Sequence, residues 1–270
     1  MKQRLTFLSL LCTFLALAAS DIGPPAGARF PGLNQLPALR NALGPKGGAI
    51  LLHGSKALLA ELEQHRPAFQ KLGVGVATLQ ELPGNAGRQG WFLLDSKGVI
   101  AAKYFEPDAS RCYTSAAILV HRFGWTPPGP TQEVEGKQLT ATLAASNSTA
   151  AAGDVIALTV DIDLQPNMHV YAPGVEGYIP IDWKIQDSAT VQAHAPLFPS
   201  PEKLYLKAID ETVPAYRNHF RLLRDIAIAS GDGSHFSVDG SLRYQACDDR
   251  VCYIPQTLPL HWTFEYAAHP

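Results

Sequence analysis

Two cysteines, five positions apart, constrain this chain more than any other feature of its sequence. Cys247 and Cys252 enclose the residues Asp-Asp-Arg-Val, which read as the polar tip of a hairpin. The segments on either side, 241–246 and 253–264, are rich in aromatic and β-branched residues, as β-strands are. The sequence therefore predicts an antiparallel ribbon with both thiols at one end, a geometry that permits a disulfide.

The spacing alone leaves the purpose of such a bridge open. Closing so short a loop removes little entropy from the unfolded chain, worth about 2 kcal/mol in the chain-entropy model. The bridge could therefore be a modest structural staple or a redox pair that opens and closes. Zinc is the weakest alternative, because a structural zinc site needs four Cys or His ligands and no second paired cluster accompanies these cysteines.

The second half of the chain reads as a series of short strands. Segments 139–143 and 155–164 alternate apolar and polar residues with the period of two that half-buried strands show. Further strands are predicted at 182–186, 189–195, 215–229 and 236–246. Short strands separated by turns are typical of a β-sandwich, which we place at residues 137–268. The Pro-rich segment 126–136 is predicted to be a semi-rigid linker before it.

Three motifs in this half stand in the order and at the separations found in one known family. They are Asn167-Met168-His169-Val170-Tyr171-Ala172-Pro173-Gly174 with Gly177-Tyr178-Ile179-Pro180, Phe198-Pro199-Ser200-Pro201-Glu202 with Glu211-Thr212-Val213-Pro214-Ala215-Tyr216, and Tyr244-Gln245-Ala246-Cys247 with Val251-Cys252-Tyr253-Ile254-Pro255. On these motifs, residues 136–267 resemble the N-terminal periplasmic domain of DsbD, the thiol:disulfide interchange protein. The resemblance implies an immunoglobulin-like β-sandwich that passes electrons by thiol–disulfide exchange. The spacing between the two cysteines varies in that family, and this chain has a short version.

The resemblance also implies a set of site residues. Cys247 and Cys252 would be the redox-active pair, and a cap loop over them would correspond to about residues 199–212, with Leu204 or Tyr205 as its apolar lid. The candidates for lining the site are His169, Tyr171, Tyr178 and Tyr244. The tyrosines could equally pack in the sandwich, and the histidine could simply end a strand.

The charges between the two cysteines predict different roles for them. Asp248 and Asp249 should raise the pKa of a neighbouring thiol by like-charge repulsion, while Arg250 acts in the opposite direction. Cys247 adjoins the acidic pair and should be the poorer thiolate. We therefore predict that Cys252 is exchanged with partners and that Cys247 resolves the mixed disulfide, a reaction that requires no metal or organic cofactor.

The first half of the chain, residues 26–125, shows the element order of a thioredoxin-like α/β domain. A strand, a helix, a strand, a hairpin and a helix are predicted at 49–53, 56–72, 74–79, 91–105 and 110–123. Segments 92–100 and 103–106, with Tyr113-Thr114 after them, resemble the closing half of redoxin and peroxiredoxin-type domains. In that family a catalytic cysteine follows the first strand, where this chain has His53-Gly54-Ser55-Lys56, and a cis-proline stands where it has Gln89-Gly90. We therefore expect a truncated domain without that chemistry.

Cys112 lies near the start of the last helix predicted in this half and has two interpretations. It could pack as a small apolar residue, which is the commoner fate of a lone cysteine. It could also be a thiolate at a helix N-terminus that resolves or docks to another thiol.

Residues 1–19 have the three parts of a secretory signal peptide. Lys2 and Arg4 precede an apolar run at 5–17, and small residues suited to cleavage follow. The apolar run is shorter than the roughly 20 residues that a membrane-spanning helix needs. We therefore expect a periplasmic or otherwise exported protein, soluble after cleavage, whose cysteine pair rests as a disulfide in an oxidising compartment.

Composition limits the classes of partner that we expect for this protein. The chain is 46% hydrophobic and 17% charged, as ordinary globular proteins are, and its formal net charge of −2 provides no basic surface for nucleic acid. The leading hypothesis is a thiol–disulfide exchange module that acts on partner proteins and could receive electrons from a membrane donor. The alternative is a non-catalytic interaction protein in which the bridge is structural.

Overall fold

The computed structural model describes residues 23–31, 33, 43–82, 87–186, 188–206, 210–231 and 233–267. The signal peptide predicted at 1–19 lies outside the described residues. Within the described ranges, no helix is long and apolar enough to cross a membrane.

The first half of the protein contains a four-stranded sheet and two helices. Its elements are β1 (Gly48–Leu52), α1 (Lys56–Lys71), β2 (Gly75–Leu79), β3 (Gly90–Leu94), β4 (Ile100–Tyr104), β5 (Cys112–Tyr113) and α2 (Ser115–Phe123). The sheet has the order β2-β1-β3-β4, with β1 and β2 parallel and the other pairs antiparallel. The predicted order of elements is therefore observed, whereas the thioredoxin-like classification of this half stays a prediction.

The helix predicted at 110–123 begins later than expected. Residues 112–113 instead form β5, which pairs in parallel with the strand that begins at Asp154. The backbone N–H of Cys112 donates to Gly153 O at 2.9 Å, so this segment belongs to the second half's sheet. The helix itself starts after Thr114, whose side chain accepts a hydrogen bond from Ala117 N, as an N-cap residue does.

The second half is rich in β-strands, consistent with the immunoglobulin-like sandwich expected there. Its strands are β6 (Gln132–Glu135), β7 (Leu139–Ala145), β8 (Thr149–Ala150), β9 (Asp154–Leu164), β10 (His169–Tyr171), β11 (Asp182–Ile185), β12 (Val191–Ala193), β13 (Glu202–Leu206), β14 (Glu211–Arg217), β15 (His219–Ile228), β16 (His235–Tyr244), β17 (Ala246–Cys247) and β18 (Gln256–Tyr266). One sheet has the order β12-β15-β9-β7-β6, with β5 added to β9, and a second has the order β11-β16-β18-β8. Apolar residues of both sheets form the main core, in which Trp183 and Trp262 stack with ring centroids 5.9 Å apart.

The prediction of a single strand at 215–229 is wrong. The strand is interrupted at Asn218, which has a positive φ of 58°. Asparagine tolerates this conformation better than most residues do. Before the break, β14 belongs to a small sheet of order β13-β14-β10-β17. After it, β15 runs along β9 in the large sheet. The two segments therefore belong to different sheets. Cys247 lies in the small sheet, on β17.

Part of the segment predicted to be a semi-rigid linker, 126–136, is paired in a sheet. Residues 132–135 form β6, an edge strand paired with β7. The two halves also share a hydrophobic core, because Leu51, Phe69 and Trp91 of the first half pack in one cluster with Val155 and Ala227 of the second. The two halves are thus packed against each other, and the domain boundaries expected from the sequence stay a prediction.

Candidate functional site

The two cysteines close the hairpin that the sequence predicts. Strands β16 and β18 pair from His235 and Glu265 to Tyr244 and Gln256, and the ribbon continues beyond them. Tyr253 N donates to Ala246 O at 2.9 Å, and Cys247 and Cys252 face each other as a bridged pair whose sulfurs form a disulfide. The antiparallel ribbon with both sulfurs at its end is confirmed.

The two sulfurs differ in their access to solvent. Cys247 is 1% exposed, whereas Cys252 is exposed. Two apolar side chains beside Cys252 are also open to solvent, with 53% of Val251 and 81% of Ile254 exposed. Only the Cys252 side of the bridge can therefore be reached by a large molecule without a change in the fold.

Asp248 organises the tip between the cysteines. Its Oδ1 accepts hydrogen bonds from Arg250 N at 2.7 Å and Val251 N at 2.8 Å, and its Oδ2 accepts one from the Tyr253 hydroxyl at 2.9 Å. These hydrogen bonds favour the charged carboxylate, the two from the backbone most strongly, and lower the pKa of Asp248. Asp249 is exposed at the tip. The predicted effect of this acidic pair on the thiols stays a prediction, because the sulfurs are joined.

Strand β10 places two of the predicted site residues next to the bridge. His169 lies directly opposite Cys247 in the β10–β17 pairing and is 3% exposed. Tyr171, two residues along, is also buried, and its hydroxyl lies 3.7 Å from Cys252 Sγ. The two rings meet edge to face, with centroids 5.3 Å apart.

A second tyrosine covers Tyr171. The centroids of the Tyr171 and Tyr178 rings are 4.3 Å apart, and the Tyr178 hydroxyl donates to Glu211 at 2.7 Å. That hydrogen bond to a carboxylate favours the neutral phenol and raises the pKa of Tyr178 to about 12. Glu211 was not identified from the sequence, since no local pattern relates it to Tyr178.

The predicted cap segment forms a hairpin of β13 and β14 beside the bridge. Leu204 and Leu206 pack against the small cluster of Tyr171, Val213 and Cys247. Tyr205, the alternative lid residue, is 53% exposed, and its hydroxyl donates to Asp210. Residues 207–209 of the predicted cap lie outside the described residues.

Tyr205 therefore lies on the face of β13 away from Cys247, for a local reason. Successive side chains of a strand point to opposite faces, so Leu204 and Leu206 share the face toward Cys247 and Tyr205 lies on the other. The same alternation in β14 could have identified Val213, which the sequence analysis missed.

Tyr244 does not line the site either. It is fully buried in the main core between the large sheets, not in the cluster around Cys247. Ala246, two residues further on, lies in the same core, whereas Cys247 lies in the cluster on the other face.

Cys112 is not a helix-terminal thiolate. It lies in β5, ahead of the helix, and is 1% exposed in the core shared by the two halves. Burial above all, with the nearby carboxylate of Asp154, strongly raises the pKa of this thiol. The interpretation of Cys112 as a packed apolar residue fits this position.

No group of three or more His, Cys, Asp or Glu side chains in the described part of the chain is arranged to hold a metal ion. The chemistry that the described site offers is that of its two sulfurs.

Comparison with known proteins gives one family-model match, which includes the hairpin. Residues 137–260 match the family model of the N-terminal part of the thiol:disulfide interchange protein DsbD. No curated protein matches the chain in sequence.

Three solved structures are similar to parts of this protein. The N-terminal periplasmic domain of ScsB from Proteus mirabilis is 15% identical, with a TM-score of 0.38, and the match covers 49% of this chain and 50% of that one. The reduced DsbD N-terminal domain from Neisseria meningitidis is 18% identical, with a TM-score of 0.30, over 40% of this chain and 80% of that one. A complex of the DsbD and PilB N-terminal domains from the same organism is 16% identical, with a TM-score of 0.27, over 40% and 73%. The chain thus spans half of the ScsB domain.

Proposed function

We propose that this protein is an exported thiol–disulfide exchange module that passes electrons to or from partner proteins through Cys247 and Cys252. The observation that carries the proposal is the unequal exposure of the two sulfurs, one buried and one open to solvent. The family match of residues 137–260 supports it. The partners would be thiol–disulfide proteins, with a membrane electron donor as one candidate, in the periplasm or a similar oxidising compartment.

The exchange step follows from the geometry of the bridge. A partner thiolate attacks Cys252 Sγ, the Cys247–Cys252 bond breaks, and its electron pair leaves on Cys247 Sγ. The products are a mixed disulfide between the partner and Cys252 and a thiolate at Cys247, which takes up one proton. A second thiolate of the partner then attacks the partner's own sulfur in the mixed disulfide, and Cys252 leaves as a thiolate that takes up a proton. The partner ends as a disulfide, and its two electrons reside on the Cys247/Cys252 dithiol.

The neighbours of the bridge would assist this exchange in different ways. The Tyr171 hydroxyl, 3.7 Å from Cys252 Sγ, can donate a hydrogen bond to a thiolate there. Leu204 and Leu206 cover the side of Cys247 and leave Cys252 open. The exposed apolar side chains of Val251 and Ile254 offer a partner contact area next to the reactive sulfur.

Mixed-disulfide trapping tests this proposal, with Cys12→Ala/Cys112→Ala as the common background to remove the two cysteines outside the bridge. Cys247→Ala leaves Cys252 without its resolving partner, so it should accumulate mixed disulfides with exported proteins. Cys252→Ala should trap far fewer, because the remaining thiol is buried. More trapping by Cys252→Ala than by Cys247→Ala would reverse the roles, and no trapping by either would favour a structural bridge.

A further inference from the structure

His169 carries an unsatisfied polar atom beside the disulfide. Its Nε2 is buried and has no hydrogen-bond partner among the described residues. Leaving a buried polar group without a partner costs free energy, so such atoms are rare and call for an explanation. Only 3% of His169 is exposed, so bulk solvent does not provide the missing hydrogen bond.

The pairing of β10 with β17 shows which face of the sheet carries the His169 side chain. His169 and Cys247 are directly opposed in an antiparallel pair, and opposed side chains lie on one face of the sheet with Cβ atoms about 5 Å apart. The neighbouring pair, Val170 and Ala246, faces the main core instead. The histidine ring therefore lies on the same face as the buried sulfur of the bridge.

The oxidised and reduced bridges differ in what they offer to a nitrogen atom. A sulfur in a disulfide has no proton to donate and accepts hydrogen bonds only weakly. A thiol can donate its S–H, and a thiolate accepts a strong hydrogen bond. The Nε2 atom thus lacks a partner in the oxidised protein but would gain one when the bridge opens.

From this juxtaposition we infer that His169 Nε2 is the hydrogen-bond partner of Cys247 Sγ in the reduced protein and that this contact favours opening of the bridge. The inference deepens the proposed function and rests on it for its biological meaning. When the S–S bond breaks, the electron pair that leaves on Cys247 Sγ creates a charge or takes up a proton inside the fold. A hydrogen bond at that point stabilises the leaving sulfur in either form.

The charges around His169 are consistent with this role. Burial lowers the pKa of its imidazole, the carboxylate of Asp249 opposes that effect, Arg217 adds to it, and Asp248 opposes it weakly. The ring is therefore neutral near pH 7. A neutral imidazole has one N–H and one lone pair, so it can donate to a thiolate or accept from a thiol, according to the tautomer.

Two substitutions separate this role from simple packing. His169→Phe keeps a ring of similar shape and removes both nitrogens, whereas His169→Gln places an amide nitrogen near the position of Nε2. The control is His261→Phe. His261 lies on β18, is half exposed and forms a histidine–aspartate pair with Asp239. It stands five residue pairs along the β16–β18 ribbon from the Tyr244–Gln256 pair, and therefore far from the bridge. The measurement is the equilibrium between the bridge and glutathione, read as the reduced fraction after alkylation.

His169→Phe should shift this equilibrium about five- to tenfold toward the disulfide, because the reduced state loses a hydrogen bond and the oxidised state loses an unsatisfied atom. His169→Gln should stay within about twofold of the wild type, and His261→Phe should not change it. A His169→Phe equilibrium equal to that of the wild type, or shifted toward the dithiol, would overturn the inference.

A second measurement on the wild-type protein decides the matter if His169→Phe does not fold. The ¹⁵N resonance of His169 Nε2 should change when a phosphine reduces the bridge, while that of His261 should not. An unchanged His169 signal would overturn the inference. Neither experiment uses a protein partner, so failure to trap partners would remove the proposed exchange without affecting this result.

Discussion

The thiol of Cys112 lies between the two halves of the protein, whereas the Cys247–Cys252 bridge lies at the tip of a hairpin. Both Cys112 and Cys247 are 1% exposed, yet only Cys247 is joined to a sulfur that reaches solvent. Burial alone therefore does not distinguish a packed cysteine from a redox cysteine here. The difference lies in the exposed partner, Cys252, and in the polar groups that surround the bridge.

The two regions also differ in whether their buried polar groups have hydrogen-bond partners. In the interface between the halves, His121 Nε2 lies 2.5 Å from Asp225 Oδ1, both side chains are 6% exposed, and the Tyr113 hydroxyl donates to the same carboxylate at 3.3 Å. Those groups satisfy one another. Beside the bridge, His169 Nε2 has no partner in the described structure. The polar groups of the interface are thus satisfied in the structure as it stands. Beside the bridge, the His169 Nε2 atom can still form a hydrogen bond when the bridge is reduced.

The largest expected effect is on thiol reactivity. In Cys247→Ala, alkylation of native protein with iodoacetamide should modify Cys252 faster than Cys112 by about a thousandfold or more, because Cys112 reacts only after the core opens and its pKa is raised. Peptide mass spectrometry gives the two rates, and denatured protein gives the control in which they converge. Comparable rates in the native protein would mean that the interface opens readily, and the contrast between the two regions would fail.

A smaller effect is expected from two histidine–aspartate pairs that differ in burial. Asp225→Ala removes one partner of the buried pair and should lower the free energy of unfolding by about 3–5 kcal/mol. Asp239→Ala removes the partner of His261, at 2.7 Å with both side chains half exposed, and should cost less than about 1 kcal/mol.

Urea unfolding measures both variants. Because the halves share a core, we expect one cooperative transition for the whole protein. Equal losses of unfolding free energy in the two variants, or separate unfolding transitions for the two halves, would contradict the description of the interface as a shared, well-packed core.

The sequence predicted best what depends on neighbouring residues. The ribbon around Cys247 and Cys252 was predicted correctly because alternation and turn residues are local signals. So were β9 and α1, which have long and regular apolar patterns. The order of elements in the first half follows from the same kind of signal.

What the sequence did not predict depends on distant parts of the chain. Segment 112–113 became a strand only because β9 lies beside it, and 132–135 only because β7 does. The break at Asn218 divides two segments that are equally strand-like, so their assignment to different sheets is set by tertiary pairing. Within the site, the face on which each residue lies matters more than its type. Tyr205 and Tyr244 lie away from the cluster around Cys247, whereas Val213, which the sequence did not single out, lies in it.

The equilibrium reduction potential of the Cys247–Cys252 bridge tests the central claim most directly. An exchangeable bridge, with a short loop and an unsatisfied histidine beside it, should titrate against glutathione with a potential above about −300 mV. The measurement uses the whole chain in the Cys12→Ala/Cys112→Ala background, so that only the Cys247/Cys252 pair contributes. A potential below that value would identify the bridge as a structural disulfide and contradict the account.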